Sequence, residues 1–228
     1  FVAVLWNLLL VYLVYQIARL TYYAENASYF NYTAEVFMGG WLFDTSAILY
    51  TNVLWVVMTL LPWHKKETRG WHLVCKWFYM IVNGLALAVN LADSVYFQYT
   101  MRRTTTTVFG EFSHEGNLGS IVGTEFLNHW YLVLLFVIMM LLLWRLYIMP
   151  RERVVSLRKY YLGSVVALVL FVPLCIAGMR GGFTTAVRPI TISNANQYVS
   201  RPTDAALVLN TPFSLIRTIG KNVFVVPN

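Results

Sequence analysis

Long apolar runs separated by short polar ones dominate the chain. Apolar stretches fall at about Phe1–Leu20, Trp41–Trp63, Trp71–Ala92, His129–Met149 and Tyr160–Gly178. Each is close to the roughly 20 residues that a helix needs to cross the hydrocarbon core of a bilayer, so the pattern predicts five membrane-spanning helices. Tyr12, Tyr15, Tyr22 and Tyr23 supply interfacial aromatics for the first. The pattern changes after Met179. Gly181 and Gly182 let the backbone turn as it leaves the last span. Arg188–Ser193 alternates polar and apolar residues behind Pro189, which predicts a short strand or extended arm. Arg201-Pro202 breaks the chain again. Thr203 or Asp204 can cap a helix over Ala205–Ile219 that Pro212 interrupts near Thr211. Its apolar positions are Leu207, Val208, Leu215, Ile216 and Ile219. These are too few for an independent core, so the tail is expected to be water-facing and to pack on something beyond Asn228.

Composition places the chain in a membrane. Of 228 residues, 58% are hydrophobic and only 12% charged, against about a quarter charged in soluble domains; the mean hydropathy is +0.59. The first residue is Phe1, so the natural start is expected upstream, and the first span lacks the cleavage site of a removed signal peptide. The net charge of +7 sits largely in short loops. Lys65, Lys66 and Arg69 follow span 2, and Arg151, Arg153, Arg158 and Lys159 follow span 4. The first loop has no Lys or Arg after Arg19, and the third has only Arg102 and Arg103. Positive loops stay in the cytoplasm, which puts the N-terminus inside and the tail outside. Charge spent on topology argues against a nucleic-acid surface. Cys75 and Cys175 map to opposite leaflets, too far apart for a disulfide.

These readings define an all-α membrane protein: five transmembrane helices, N-terminus in and C-terminus out, plus a short α/β extracytoplasmic linker. Residues 1–178 form the membrane domain and 179–228 the linker. In span 3, Lys76, Asn83 and Asn90 recur every seven residues near one face. Gly84, Ala88 and Ala92 form a small-residue seam beside it. Interhelical amide hydrogen bonds explain Asn83 and Asn90 more simply than a polar groove for a lipid head group. Asp44 at the start of span 2 and Asp93 at the end of span 3 need partners, and Arg102, Arg103 and Arg180 are the outside cations available. A structural ion-pair network is the plainer reading; the alternative is that these arginines hold a phosphate or sulfate of a lipid. Glu111, His114, Glu115 and His129 lack the spacing of a metal site and fit a solvated loop. Thr211-Pro212 reads as a helix break rather than a nucleophile, since the tail has only Asp204, and no His, to hold a metal.

A wider wording is also informative. Arg180-Gly-Gly-Phe-Thr-Thr185, Arg188–Val199 and Ala206–Ile219, with Gly40–Asn52 and Asn90–Thr105 upstream, resemble the membrane domain and juxtamembrane linker of bacterial lipoteichoic acid synthase-like proteins of the alkaline phosphatase and sulfatase superfamily. The resemblance implies a bacterial cytoplasmic membrane protein whose extracytoplasmic catalytic domain follows Asn228. That domain would use a divalent metal (Mn, Mg, Zn or Ca) to transfer phosphoglycerol or phosphoethanolamine, or to hydrolyse sulfate or phosphate esters, on lipid or glycan head groups. Residues 1–228 would supply no catalytic or metal-binding residue and no cofactor site. Their partners would be membrane lipids and the chain's own C-terminal domain. In a bacterial host the Asn26 and Asn31 sequons carry no glycan. The rival expectation is a non-enzymatic membrane subunit that docks a partner through its tail. A transporter ranks last, since spans 1, 2, 4 and 5 show no central charge.

The orientation has a direct test. In intact cells, a cysteine placed at Lys66 should resist a membrane-impermeant thiol reagent, whereas one placed at Asn117 should react. The opposite pattern would invert the topology.

Overall fold

The computed structural model describes residues 2–31, 33–113, 118–150, 156–182 and 189–219. Among them every element is helical: α1 (Val2–Glu25), α2 (Ala34–Leu60), a 3-10 turn (His64–Glu67), α3 (Arg69–Thr100), α4 (Val108–Ser113), α5 (Leu118–Asn128), α6 (Trp130–Leu146) and α7 (Leu157–Arg180). Two further 3-10 turns (Ile192–Tyr198 and Pro202–Asp204) and the short helices α8 (Ala205–Val208) and α9 (Thr211–Thr218) complete the order.

Four helices, α1, α2, α3 and α7, are long and apolar enough to cross a membrane. The fourth apolar run forms α6, a shorter apolar helix of 17 residues, about 26 Å long at 1.5 Å per residue. The other helices overrun the apolar runs that predicted them. Thr33 caps α2 by accepting a hydrogen bond from the Val36 N–H, and Thr68 caps α3 in the same way through Trp71. α3 continues past Asp93 to Thr100, where Met101 ends it in the left-handed conformation at φ 55°. The third connection contains α4 and α5.

α1, α2 and α3 pack on one another; α7 lies against α2, and α6 against α3 and α1. The interior is aromatic at both ends. Tyr22, Phe30 and Phe97 cluster with centroids 4.8–5.7 Å apart. At the other end Trp55, Tyr79 and Tyr147 meet. There Asn7 stands in for a strand partner: its side chain donates to the Ile148 carbonyl at 2.7 Å and accepts from the Ile148 N–H at 3.0 Å, stitching the end of α6 to α1. The outward sides of α6 and α7 are apolar, with Leu134, Ile138, Leu141, Leu162, Val169 and Leu170 exposed, as a lipid-facing surface requires.

Three expectations are corrected. The small-residue seam of span 3 packs only at Gly84, which faces Met140 of α6; Ala88 and Ala92 are exposed. Among its described residues the linker is helical rather than α/β. Arg188 lies outside the described residues, and from Ile192 the chain coils into a 3-10 turn. Thr191 and Asn194 form a reciprocal capping box there, and a local cap of that kind outcompetes a two-residue alternation with no neighbouring strand. The tail does not await a surface elsewhere, because α8 and α9 pack on α1, α2 and α3 of the same chain. Its buried residues include Leu207, Val208 and Phe213, but also Thr211, Ser214 and Thr218, while Ile219 is exposed.

The exit from α7 fixes how the tail returns. Gly181 has φ 83°, and its N–H and that of Gly182 both bond the Ala177 carbonyl. The Ile190 N–H then bonds the Arg180 carbonyl at 3.1 Å. A Cβ on Gly181 would stand 2.6 Å from Ile190 Cγ2. Gly181→Ala is therefore expected to cost at least the roughly 1–2 kcal/mol of a left-handed non-glycine residue, read as a lower Tm in detergent; an unchanged Tm would contradict the strained-turn account.

Candidate functional site

Where α8 and α9 enter the bundle, two buried ion pairs meet the chain of the tail. The first belongs to α1 and α2. Arg19 and Asp44 are 3% and 0% exposed, and Arg19 Nη2 is 2.5 Å from Asp44 Oδ1. Gln16, one turn earlier on α1, donates to the other carboxylate oxygen at 2.7 Å. Asn210 donates to Asp44 Oδ1 at 2.9 Å, and its own oxygen caps α9 by accepting from the Phe213 N–H at 2.8 Å. Nη1 of Arg19 reaches the carbonyls of Leu207, Val208 and Leu209, and Nη2 reaches that of Gly40. Helix ends leave their last carbonyls without intrahelical donors, and a four-residue helix such as α8 is nearly all end. The guanidinium supplies those donors. Gly40 makes the room: a Cβ there would lie 2.6 Å from Arg19 Cζ.

The second pair belongs to α3 and the loop after it. Arg103 Nη1 is 3.5 Å from Asp93 Oδ2, both side chains almost fully buried. Asp93 also accepts from the Thr104 N–H and hydroxyl, and from the Thr211 hydroxyl at 2.8 Å. Arg103 Nε donates to the Ala206 carbonyl at 2.7 Å, and Nη1 donates to Thr211 Oγ1 at 3.2 Å. The guanidinium carbon sits 3.5 Å over the Tyr22 ring, a cation–π contact. Asn90 accepts from the Thr211 N–H at 3.0 Å. Thr218 closes the seam, taking the Thr106 N–H and giving its carbonyl to the Thr106 hydroxyl. Thr211 is thus held through its N–H and its hydroxyl, with Asp93, Asn90 and Arg103 as partners.

A third fastening lies nearer the surface. Asp204 accepts from the Asn31 N–H at 3.0 Å and from Arg201 at 2.9 and 3.1 Å, while Arg201 also donates to the Tyr29 carbonyl. The hydrogen bonds that Arg201 donates to Asp204 raise its pKa.

Of the residues singled out in the sequence, the structure joins Asp44, Asp93, Arg103 and Asn90 at this junction. Asp44 is paired with Arg19, not with one of the three outside cations. Among the described residues neither Arg102 nor Arg180 is ion-paired to Asp44 or Asp93. Asn83 lies apart from the junction, in a reciprocal amide pair with Asn52 at 2.8 and 2.9 Å; Lys76 donates to the Trp144 carbonyl and stacks on its ring. The face traced by Lys76, Asn83 and Asn90 is therefore divided among three different neighbours. Asp44 and Asp93 also lie well inside α2 and α3 rather than at their ends. The sequence did not mark Arg19, Gln16, Asn210 or Thr218 as site residues, and it marked Thr211 only as a helix break. One signal was available: Arg19 and Gln16, three residues apart, put two polar groups on one face of a mostly apolar helix.

No three of His, Cys, Asp and Glu converge among the described residues. Glu111 has no described side chain and His114 and Glu115 lie outside the described residues, whereas His129 Nδ1 is 3.3 Å from Glu125. Cys75 and Cys175 are free and buried. Asn26 is fully buried, its side chain donating to the Tyr22 and Ser94 carbonyls. Comparison of the chain with family models, with curated proteins and with solved structures gave no match.

Removing one partner of a buried pair leaves an uncompensated charge, at a cost of about 3–5 kcal/mol. Asp44→Ala is expected to lose that much unfolding free energy. Arg19→Met should lose a similar amount, and the double variant Arg19→Met/Asp44→Leu less than the sum. Equilibrium unfolding in detergent measures all three; strictly additive losses would show that the pair is not coupled.

Proposed function

We propose that this chain is the membrane domain and linker of a bacterial envelope enzyme similar to lipoteichoic acid synthase, anchoring and orienting an extracytoplasmic catalytic domain. In this reading α1, α2, α3, α6 and α7 are five spans with the N-terminus in the cytoplasm and the tail outside. The following domain acts on lipid or glycan head groups, as a phosphoglycerol or phosphoethanolamine transferase or as a sulfatase. The bundle carries no part of that chemistry; it sets where the chemistry happens.

The observation that supports this is the way residues 189–219 are fastened. The segment is pinned at Asp204, at Arg19–Asp44 with Asn210, and at Asp93–Arg103 with Thr211. A linker hanging free would let its domain wander over a sphere whose radius grows with linker length. A linker fastened at three points starts the next segment from a fixed place beside the bundle, which suits an enzyme whose substrate is held in the bilayer. The rival reading, a non-enzymatic subunit that docks a partner through its tail, is less well supported, since α8 and α9 already spend their buried faces on the bundle.

Intact mass and peptide mapping of the protein purified from its native membrane test this reading. The expected result is a mass well above the 26.3 kDa of residues 1–228, with phosphodiesterase or sulfatase activity that a chelator abolishes and a divalent metal restores. A mass of 26.3 kDa and no such activity would overturn it.

A further inference from the structure

The junction leaves two adjacent groups on α9 unsatisfied. Ser214 is 0% exposed and its hydroxyl has no hydrogen-bond partner among the described residues. Arg217, three residues on, has Nε and Nη2 buried, likewise without a partner among the described residues. Residues three apart share a helix face. Here that face lies between Thr211 and Thr218, which turn toward α3 and its loop, and Phe213, which packs edge-on against Phe43 of α2 at 4.9 Å. The guanidinium carbon of Arg217 is 5.2 Å from the Tyr50 ring and 5.5 Å from the Phe213 ring.

Neither buried carboxylate of the junction answers this cation. Asp44 is committed to Arg19, Gln16 and Asn210, and Asp93 to Arg103, Thr104 and Thr211. A guanidinium with buried, unpaired N–H groups is costly. The complement of two guanidinium N–H donors beside a hydroxyl is a compact anion with several acceptor oxygens, and phosphate fits best. The surroundings indicate what carries it. Tyr50 shares a face of α2 with exposed Leu54, one turn on. An acyl chain can lie along that apolar surface while the phosphate meets Arg217.

We propose that Arg217 and Ser214 form a binding site for the phosphate of an anionic phospholipid, at the side of α9 that faces α2. The site stands independently of the reading above, because it needs only the bundle and its tail.

Native mass spectrometry of the full chain in detergent tests the site, with phosphatidylglycerol, uncharged diacylglycerol and inorganic phosphate as probes. One phosphatidylglycerol should be retained tightly, and diacylglycerol should not. Arg217→Leu should weaken that binding about tenfold or more, the usual scale for losing a charge-assisted hydrogen bond. Ser214→Ala should weaken it less. Lys65→Gln with Lys66→Gln, which discharges a basic loop elsewhere, should leave it unchanged. Equal affinity in Arg217→Leu and the parent would overturn the proposal. So would inorganic phosphate binding as tightly as phosphatidylglycerol, which would make this a free-anion site. If Arg217→Leu fails to fold, Arg217→Lys and Ser214→Ala decide: the site predicts weaker binding in both, and unchanged affinity in both would overturn it.

Discussion

A guanidinium inside a bundle of apolar helices is tolerable only if nearly every N–H finds an acceptor and the charge finds a counterion. Arg19 meets both conditions by drawing together parts of the chain that are distant in sequence. Asp44 neutralises it from α2. The carbonyls of Leu207, Val208 and Leu209 in the tail take its Nη1 donors, and that of Gly40 takes Nη2. The same contact solves the tail's problem, since α8 is too short to satisfy its own carbonyls. Two liabilities, a buried cation and a ragged helix end, cancel each other, and the cost of separating them holds the tail in place.

The rest of the junction repeats this logic with other groups. Asp93 gathers Arg103, Thr104 and Thr211, and Arg103 in turn satisfies the Ala206 carbonyl. α9 is consequently inserted with hydroxyls inward, at Thr211 and Thr218, and with Phe213 as its one large apolar anchor. Such a seam is directional in a way that apolar packing is not, because each hydrogen bond fixes a register as well as a separation. Away from the junction the bundle is held differently, by aromatic clusters, by the Asn52–Asn83 amide pair and by Asn7 mimicking a backbone partner. Hydrogen bonds of that interhelical kind are worth about 0.6 kcal/mol each on average, so there packing carries most of the cohesion. The result is an apolar body with lipid-facing helices and a polar seam that fixes residues 189–219 against it.

Much of this was legible in the sequence, because the signals concerned are local. Apolar runs of about 20 residues determined the helices, the Gly181-Gly182 pair the turn out of α7, and Arg201-Pro202 and Thr211-Pro212 the breaks in the tail. Asp44 and Asp93 could be recognised as carboxylates in need of partners, and Arg103 as one of three candidates for pairing. What the sequence could not determine was which groups meet. Arg19 is 25 residues from Asp44 and 188 from Leu207, and nothing in its own neighbourhood distinguishes a cation paired inside the bundle from one that marks the end of a span. The tail misled for a related reason. Judged by hydropathy, Thr211, Ser214 and Thr218 belong on a solvent face, yet all three are buried. Burial of a hydroxyl depends on whether a carbonyl, a carboxylate or an amide lies opposite it. For Thr211 and Thr218 those partners come from α3 and the loop after it, so only the tertiary structure could decide that this polar face points inward.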